Sequence, residues 1–404
     1  MAASERTPTA GISATQAPEY GIQAVLDLAL ERNPALAGAQ GTLDQQKGQQ
    51  LLAGAYPNPI LGGQTGRGSL RDPSNGFSTT EYSVSIGQPL EWPGKRNARQ
   101  KAATAGVAGA DAGIAETRLN LIADVKTAFF DLLFAQQQLQ LAQQNLGTVE
   151  DVRRIVGARV RLGEAPQFES VKAEVESLKA KQAVTRAENT VSATRVALDT
   201  LTAGALGRTY TVVGEFQSFP AALNADTLAA RTLDQHPSLS RLAKQVEQAD
   251  STAEFHRQAR TPDVTVQGSY WREVGREALT ANLSVPIPLW YQRQGEIASA
   301  LGARRKEEAE LFRARNELLR AVNLHFQDAQ ATANLIDVFE RGLLRQTDEA
   351  LRIAQFSFRQ GASSLLDVLD AQRVQRQVLL DYAQARYELA VSLTRLERAV
   401  GGPL

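Results

Sequence analysis

Fifteen prolines divide this 404-residue chain into segments of two kinds. None falls within 94–165, 167–219, 238–261 or 289–402. A proline inside a helix removes a backbone hydrogen bond and clashes with the preceding turn, so these gaps are where long helices can form. They are dense in Ala, Leu, Gln, Glu, Arg and Lys, which favour the helix. Ile122, Val125, Phe129, Leu132 and Gln136 step by three and four, as do Val322, Phe326, Ala329, Ala333 and Ile336. A mean period of about 3.5 calls for a supercoiled seam between paired helices. The first long helix, from Trp92 to Arg161, would run for about 105 Å at 1.5 Å per residue.

The prolines that do occur bracket segments of period two. Tyr82, Val84 and Ile86 alternate with Ser83, Ser85 and Gly87; Val264, Val266, Gly268 and Tyr270 alternate with Thr265, Gln267, Ser269 and Trp271. Leu283, Val285, Ile287 and Leu289 alternate with Asn282, Ser284, Pro286 and Pro288, and a weaker run covers 58–68. Alternation of apolar with small polar residues predicts four strands. Arg67–Phe77, with its Asp72-Pro73-Ser74-Asn75-Gly76 string, and Arg272–Glu277 read as hairpin loops.

The two halves repeat. Glu31-Arg32-Asn33-Pro34-Ala35-Leu36 corresponds to Asp234-Gln235-His236-Pro237-Ser238-Leu239, and Gln88-Pro89-Leu90 to Ile287-Pro288-Leu289. Phe129-Phe130-Asp131 corresponds to Phe326-Gln327-Asp328, and Leu162-Gly163 to Gln360-Gly361. Self-similarity at so long an offset predicts two copies of one structural unit. The first repeat covers 20–204, with helices in 20–56, strands in 58–90, a long helix over 92–161 and a helix over 166–203. The second covers 225–404, with helices in 225–261, strands in 263–289, a long helix over 291–359 and a helix over 363–400. A linker over 205–224 joins them, and 1–19 reads as a flexible N-terminal segment.

Several function classes are excluded. Forty-four basic residues balance 44 acidic ones, so no basic face exists to displace counterions from nucleic acid. There are no cysteines, hence no disulfide, thiolate zinc site or cysteine nucleophile. His236, His256 and His325 stand apart from one another, and Met1 is the only methionine, so neither a histidine nor a thioether metal site is expected. No P-loop, dinucleotide-binding glycine motif or Gly-x-Ser-x-Gly elbow is present, and no catalytic constellation or cofactor site is predicted. No run of about 18 apolar residues could span a membrane as a helix. Residues 1–19 carry no apolar stretch of a secretory signal, the expectation being that a signal has been removed.

Four alternating strands cannot close a barrel alone, and an open sheet with an apolar face would aggregate at its edges. Membrane barrels need about eight strands or more, so two, three or four copies would supply 8, 12 or 16. Trp92, Trp271 and Trp290 sit at strand ends, with Tyr270 and Tyr291 beside two of them, where an aromatic girdle would meet the lipid interface. The alternative of another class is a soluble coiled-coil scaffold, with each Trp capping a core.

Gly361-Ala-Ser-Ser-Leu-Leu-Asp367-Val-Leu-Asp370-Ala371 and its counterpart Leu162-Gly163-Glu164-Ala165-Pro166, continuing to Glu169, resemble the helix–turn–helix tips of the TolC family of outer-membrane efflux proteins. The resemblance extends over residues 20–400. It implies a homotrimer whose 12-stranded β-barrel in outer-membrane lipid stands on an α-helical tunnel crossing the periplasm of a Gram-negative cell. It also implies a passive duct, working with a periplasmic adaptor and an inner-membrane RND pump. The strings 88–96 and 286–297 look like the CzcC-like heavy-metal branch, which implies divalent cations as cargo; drug efflux and type I secretion are served by the same family. The resemblance places Asp367 and Asp370 at the constricted periplasmic entrance, with Glu169 as their first-repeat equivalent. In a trimer each becomes a ring of carboxylates, which favours cations. Arg161, Leu162, Gly163 and Glu164, with Gln360, Gly361, Ala362 and Ser363, would form the tips that meet the adaptor. Ser363 stands at the position of a gate-locking Arg in drug-exporting relatives, which puts closure by that ion pair in question.

Overall fold

The computed structural model describes residues 18–70, 76–220 and 222–404. The first helical stretch forms two helices, α1 (Ile22–Arg32) and α2 (Pro34–Gly54). The break falls at Asn33, in extended backbone (φ −67°, ψ 125°), because a residue before proline is driven out of the helical region. The same event at His236-Pro237 separates α5 (Ala225–Gln235) from α6 (Pro237–Gln258). The long helices are α3 (Pro93–Arg161), α4 (Gln167–Leu201), α7 (Gln294–Val338), α8 (Leu344–Arg359) and α9 (Leu365–Val400). Among the described residues no helix is long and apolar enough to cross a membrane.

The helix expected over 291–359 is interrupted. A single π-helical turn, Phe339–Leu343, separates α7 from α8. The repeat explains it. Val125 and Val322, both fully buried, stand 197 positions apart, as do Leu132 and Ala329. Beyond the turn the offset is 198, for Val149 and Thr347 and again for Gly163 and Gly361. The second repeat therefore holds one extra residue between these landmarks. A π turn, closed by i→i+5 bonds, accommodates one residue without rotating the helix beyond it.

Two compact units form, each drawing on both repeats. One comprises residues up to Pro34, Arg118–Ala230 and Arg320–Leu404; the other comprises Ala35–Thr117 and Arg231–Leu319. In the first, Val125, Phe129, Phe130 and Leu132 of α3 are at most 1% exposed, and α9 buries Leu389, Leu393 and Leu396 against Val322 and Ala329. Lys126 and Glu397, mostly buried, pair at 2.5 Å. The linker is held. Its strand β4 (Thr211–Val212) pairs in parallel with β1 (Glu19–Tyr20), so residue 19, expected within the flexible N-terminal segment, is ordered; residues 1–17 lie outside the described residues. Tyr210 is fully buried, donates its hydroxyl to the Arg195 carbonyl at 2.6 Å, and is pushed up to about 12 by burial.

The second unit contains the sheet, in the order β2 (Ile60–Leu70), β3 (Phe77–Leu90), β5 (Val264–Glu273), β6 (Arg276–Ser284), all antiparallel. Two expectations are corrected. The strand expected over 283–289 lies earlier: β6 ends at Ser284, since Pro286 and Pro288 have no N–H for a ladder. The loop expected over Arg272–Glu277 contracts to Val274-Gly275, with Gly275 at φ 72°, a conformation that glycine adopts at least cost. The other hairpin's strands also run further than expected, to Leu70 and from Phe77; most of its loop, Arg71–Asn75, lies outside the described residues.

Candidate functional site at the sheet and the helical tips

The register assigns every strand residue to a face. Leu61, Tyr82, Val84, Ile86, Val266, Tyr270, Leu279 and Leu283 fall on one face. Most are well exposed, Leu61 at 75% and Leu279 at 85%. Gln64, Ser83, Ser85, Gln267, Ser269, Thr280 and Asn282 fall on the other. β2 and β6 are free edges among the described residues. An exposed apolar face opposite a polar one, with two open edges, is unstable as an isolated sheet in water and suited to lipid on one side.

The predicted aromatics divide. Tyr270 lies on the apolar face, 6.2 Å from Tyr82 between ring centroids. Trp271 pairs with Ser83 and Ala278 and so lies on the polar face, opposite Tyr270. Trp92 and Trp290 lie beyond the strands, 47% and 92% exposed. The Trp92 backbone N–H donates to Asp263 at 3.0 Å, and the Tyr291 hydroxyl donates to Glu296 at 2.5 Å.

At the tips the repeat is exact in its hydrogen bonds. Glu164 N–H donates to the Arg159 carbonyl at 2.8 Å and Gly163 N–H to Val160 at 3.1 Å. Ala362 N–H donates to Ser357 at 2.9 Å and Gly361 N–H to Phe358 at 3.0 Å. Both pairs are Schellman caps, and Gly163 and Gly361 occupy the left-handed position at φ 77° and 76°. Arg161, Leu162, Gln360 and Ala362 are exposed, Leu162 at 73%. The Ser363 hydroxyl donates to the Ala354 carbonyl at 3.4 Å, within its own hairpin.

The helices that follow start differently. Ser364 caps α9 in a reciprocal box: its hydroxyl accepts from Asp367 N–H at 3.3 Å, and Asp367 accepts the Ser364 N–H at 2.9 Å. The Ser364 N–H, then its hydroxyl, hold the Asp367 carboxyl below the usual carboxylate range. Pro166 begins α4 without a side-chain cap, and Glu169, half-buried, is at the third position. Asp370 is exposed and pairs with Arg373 at 2.5 Å.

Asp367 and Asp370 together line a hollow of about 540 Å³ between α8 and α9, with Ala350, Leu366, Ala371 and Val374. A neighbouring hollow of about 410 Å³ takes Asp370 with Lys172, Lys179, Arg373 and Arg376. These cations were missed by sequence reasoning. Arg373 was legible as the i+3 neighbour of Asp370; the two lysines, on another helix, were not. The Ser364-x-x-Asp367 box was also there to be read.

A core cluster supports the tips: Val152, Val156, Ala173, Phe358, Leu365 and Val368. Beside it Glu150 accepts from Ser177 at 2.8 Å, Lys181 at 3.1 Å and Arg153 at 2.8 Å. Those donors, Ser177 foremost, lower Glu150 to about 2. Among the described residues no group of His, Asp and Glu is arranged to hold a metal. His236 accepts the Ser238 N–H as an N-cap, and burial lowers His325 below the usual imidazole range.

An amphipathic sheet with open edges, joined in sequence to helices of coiled-coil spacing, defines an outer-membrane channel protein. The family described as outer membrane efflux protein matches residues 25–204 and 228–402, and the chain belongs to it. It is 25% identical over 382 residues to the cobalt-zinc-cadmium resistance protein CzcC of Cupriavidus metallidurans, covering 94% of this chain and 90% of that one. It is 25% identical over 417 residues to the pyoverdine export outer membrane protein OpmQ of Pseudomonas aeruginosa, covering 95% and 84%. A crystal structure of CusC superposes with a TM-score of 0.80 at 17% identity, over 94% of this chain and 92% of that one. The chain is thus an outer-membrane efflux duct extending into the periplasm, and not an enzyme.

Proposed function

We propose that three copies of the chain assemble into a passive channel of a tripartite efflux system that exports divalent heavy-metal cations. The observation that carries the assembly is the four-stranded sheet with two open edges and an exposed apolar face. Three such sheets close as 12 strands, which removes the edges and gives the apolar face to lipid. Trp92, Trp290, Tyr270 and Tyr291 then serve as interface aromatics. The exposed tips, Arg161–Glu164 and Gln360–Ser363, are assigned to a periplasmic adaptor, and an inner-membrane pump supplies the energy.

Asp367 forms the entrance ring with Glu169, its first-repeat equivalent. Among the described residues the Asp367 carboxylate is engaged by Ser364 and by no cation, and it keeps its charge to low pH. Asp370 contributes less, because Arg373 sits on it. Rings of carboxylates draw cations and repel anions. Metal cargo is supported by the likeness to CzcC, which extends over 90% of that relative; the likeness to OpmQ, at the same 25% identity over 84% of that relative, makes an organic solute the second reading. A deletion strain separates the two. Sensitivity to cobalt, zinc or cadmium, restored by the gene, supports metal export. Unchanged metal tolerance with retention of an organic solute refutes it. For the entrance, Asp367→Ala and Asp370→Ala channels are compared in bilayers, and unchanged cation selectivity would refute the ring.

A further inference from the structure

Three helices of the first unit meet around the hollow of about 410 Å³, each contributing residues at helical spacing. Asn145 and Val149 of α3 are four positions apart, Lys172, Glu176 and Lys179 of α4 step by four and three, and Asp370, Arg373 and Arg376 of α9 step by three. Such spacing turns one face of each helix toward a common space. The volume is that of a small-ligand pocket. Across it four cations face two carboxylates. Lys179 holds Glu176 at 2.9 Å, and Arg373 holds Asp370 at 2.5 Å. Lys172, half-buried, and Arg376 have no ion-pair or hydrogen-bond partner among the described residues, so two positive charges stay uncompensated.

Behind these charges lies a buried amide pair. Gln372 is 6% exposed, and its Nε2 donates to Asn145 Oδ1 at 3.0 Å. Gln372 Oε1 is buried as well and accepts from no donor among the described residues. A buried acceptor without a donor is rare in folded proteins, because the hydration it lost goes unreplaced. Beside the pair, the buried Val149 and Ala180 give the hollow an apolar wall. The adjoining hollow of about 540 Å³ shares Leu366 and Asp370 but has Asp367 and Asp370 as its only charged lining among the described residues. The two hollows therefore differ in sign, and the basic one alone has the orphaned acceptor.

We infer that this hollow is a binding site for a small hydroxy-dicarboxylate. Lys172 and Arg376 take one carboxylate each, the guanidinium offering the paired N–H donors that match a carboxylate. The ligand's hydroxyl donates to Gln372 Oε1, and its short carbon chain lies on Val149 and Ala180. A monocarboxylate would leave one cation unpaired, and a dicarboxylate without the hydroxyl would leave Gln372 Oε1 unserved. A bare divalent cation is repelled by the net charge. The site is separate from the entrance carboxylates and stands whichever solute the duct carries.

Malate and succinate, which differ only by one hydroxyl, test the site by isothermal titration of the full chain purified in detergent at low salt. The expected result is one malate per chain, bound about 5-fold tighter than succinate, the worth of one neutral hydrogen bond. Lys172→Gln and Arg376→Gln should each weaken both ligands about 10-fold, the loss of one charge-assisted contact. Gln372→Leu should abolish the preference for malate and leave succinate affinity unchanged. Lys306→Gln, outside the hollow, should change nothing. A thermal melt checks that each variant is folded, and the malate–succinate comparison in the wild type stands if Gln372→Leu does not fold. Equal affinity of the wild type for the two ligands, or no measurable binding of either, would overturn the site. An equal loss in Lys306→Gln would reduce the effect to diffuse attraction of anions and overturn it too.

Discussion

Deleting Gly342 from the π turn should be tolerated, whereas deleting Gly147 from α3 should not. Each deletion removes one glycine from a long helix, so the two differ only in what the neighbouring turn can absorb. One residue is about 100° of helix rotation. Without Gly147, everything after it in α3 turns by that angle: Val149, 5% exposed, loses its buried position, and Val152 and Val156, at 5% and 0%, leave the tip core. At about 1.5–3 kcal/mol for each buried valine, the loss over the three is roughly 4.5–9 kcal/mol, comparable to the whole stability of many domains. Removing Gly342 converts the π turn to α-helix and brings the repeat offset beyond it back to 197. Thr347, Leu351 and Phe358 keep their inward orientation, and the change should stay within about 1 kcal/mol, since a glycine unfavourable in a helix interior is also lost. Hydrogen exchange of α8 and α9 and a thermal melt of the purified assembly read both variants. Equal destabilisation by the two deletions, or exposure of Phe358 in the Gly342 deletion, would refute the account of the π turn as an inserted residue.

Gly163→Ala and Gly361→Ala should each destabilise their tips by roughly 1–2 kcal/mol, because a Cβ at φ 77° or 76° meets the following carbonyl; local hydrogen exchange at 158–168 and 356–366 measures it. Lys126→Met should cost about 3–5 kcal/mol in chemical denaturation by leaving Glu397 buried and unpaired, and Lys126→Met with Glu397→Leu should recover much of that loss. Glu150 has a folded pKa depressed from 4.5 to about 2, so its stabilisation is present above about pH 4.5 and is lost as the pH falls toward 2. Melting temperatures of the wild type and Glu150→Gln should therefore differ near pH 6 and converge near pH 2; a constant gap would sink this reading.

Much of the fold was legible because its signals are local. A proline-free run with heptad spacing is a helix wherever it lies, and α3, α4 and α9 fall within about two residues of their expected ends. Gly163 and Gly361 announced their turns because positive φ is a property of one residue and its neighbours. Four alternating strands were expected and they form one four-stranded sheet, while the short β1–β4 pair, which shows no alternation, was not foreseen. The strand ends were less legible: the apolar alternation continues through Val285, Ile287 and Leu289, but a ladder needs backbone donors that Pro286 and Pro288 lack. Asp367 and Asp370 read as two like charges on one helix, yet Ser364 engages one and Arg373 the other.

By itself the sequence determined the period of each segment, the sites of its turns and the twofold repetition, since these depend on bonds and spacings within a few residues. Tertiary structure decided what depends on groups far apart in the chain. It set the face of the sheet on which Trp271 lies and the pairing of Lys126 with Glu397 across 271 positions. It also decided where the second repeat absorbs its extra residue. Each of these depends on register between distant elements, and register is selected by what the distant partner buries or neutralises, which no local window contains.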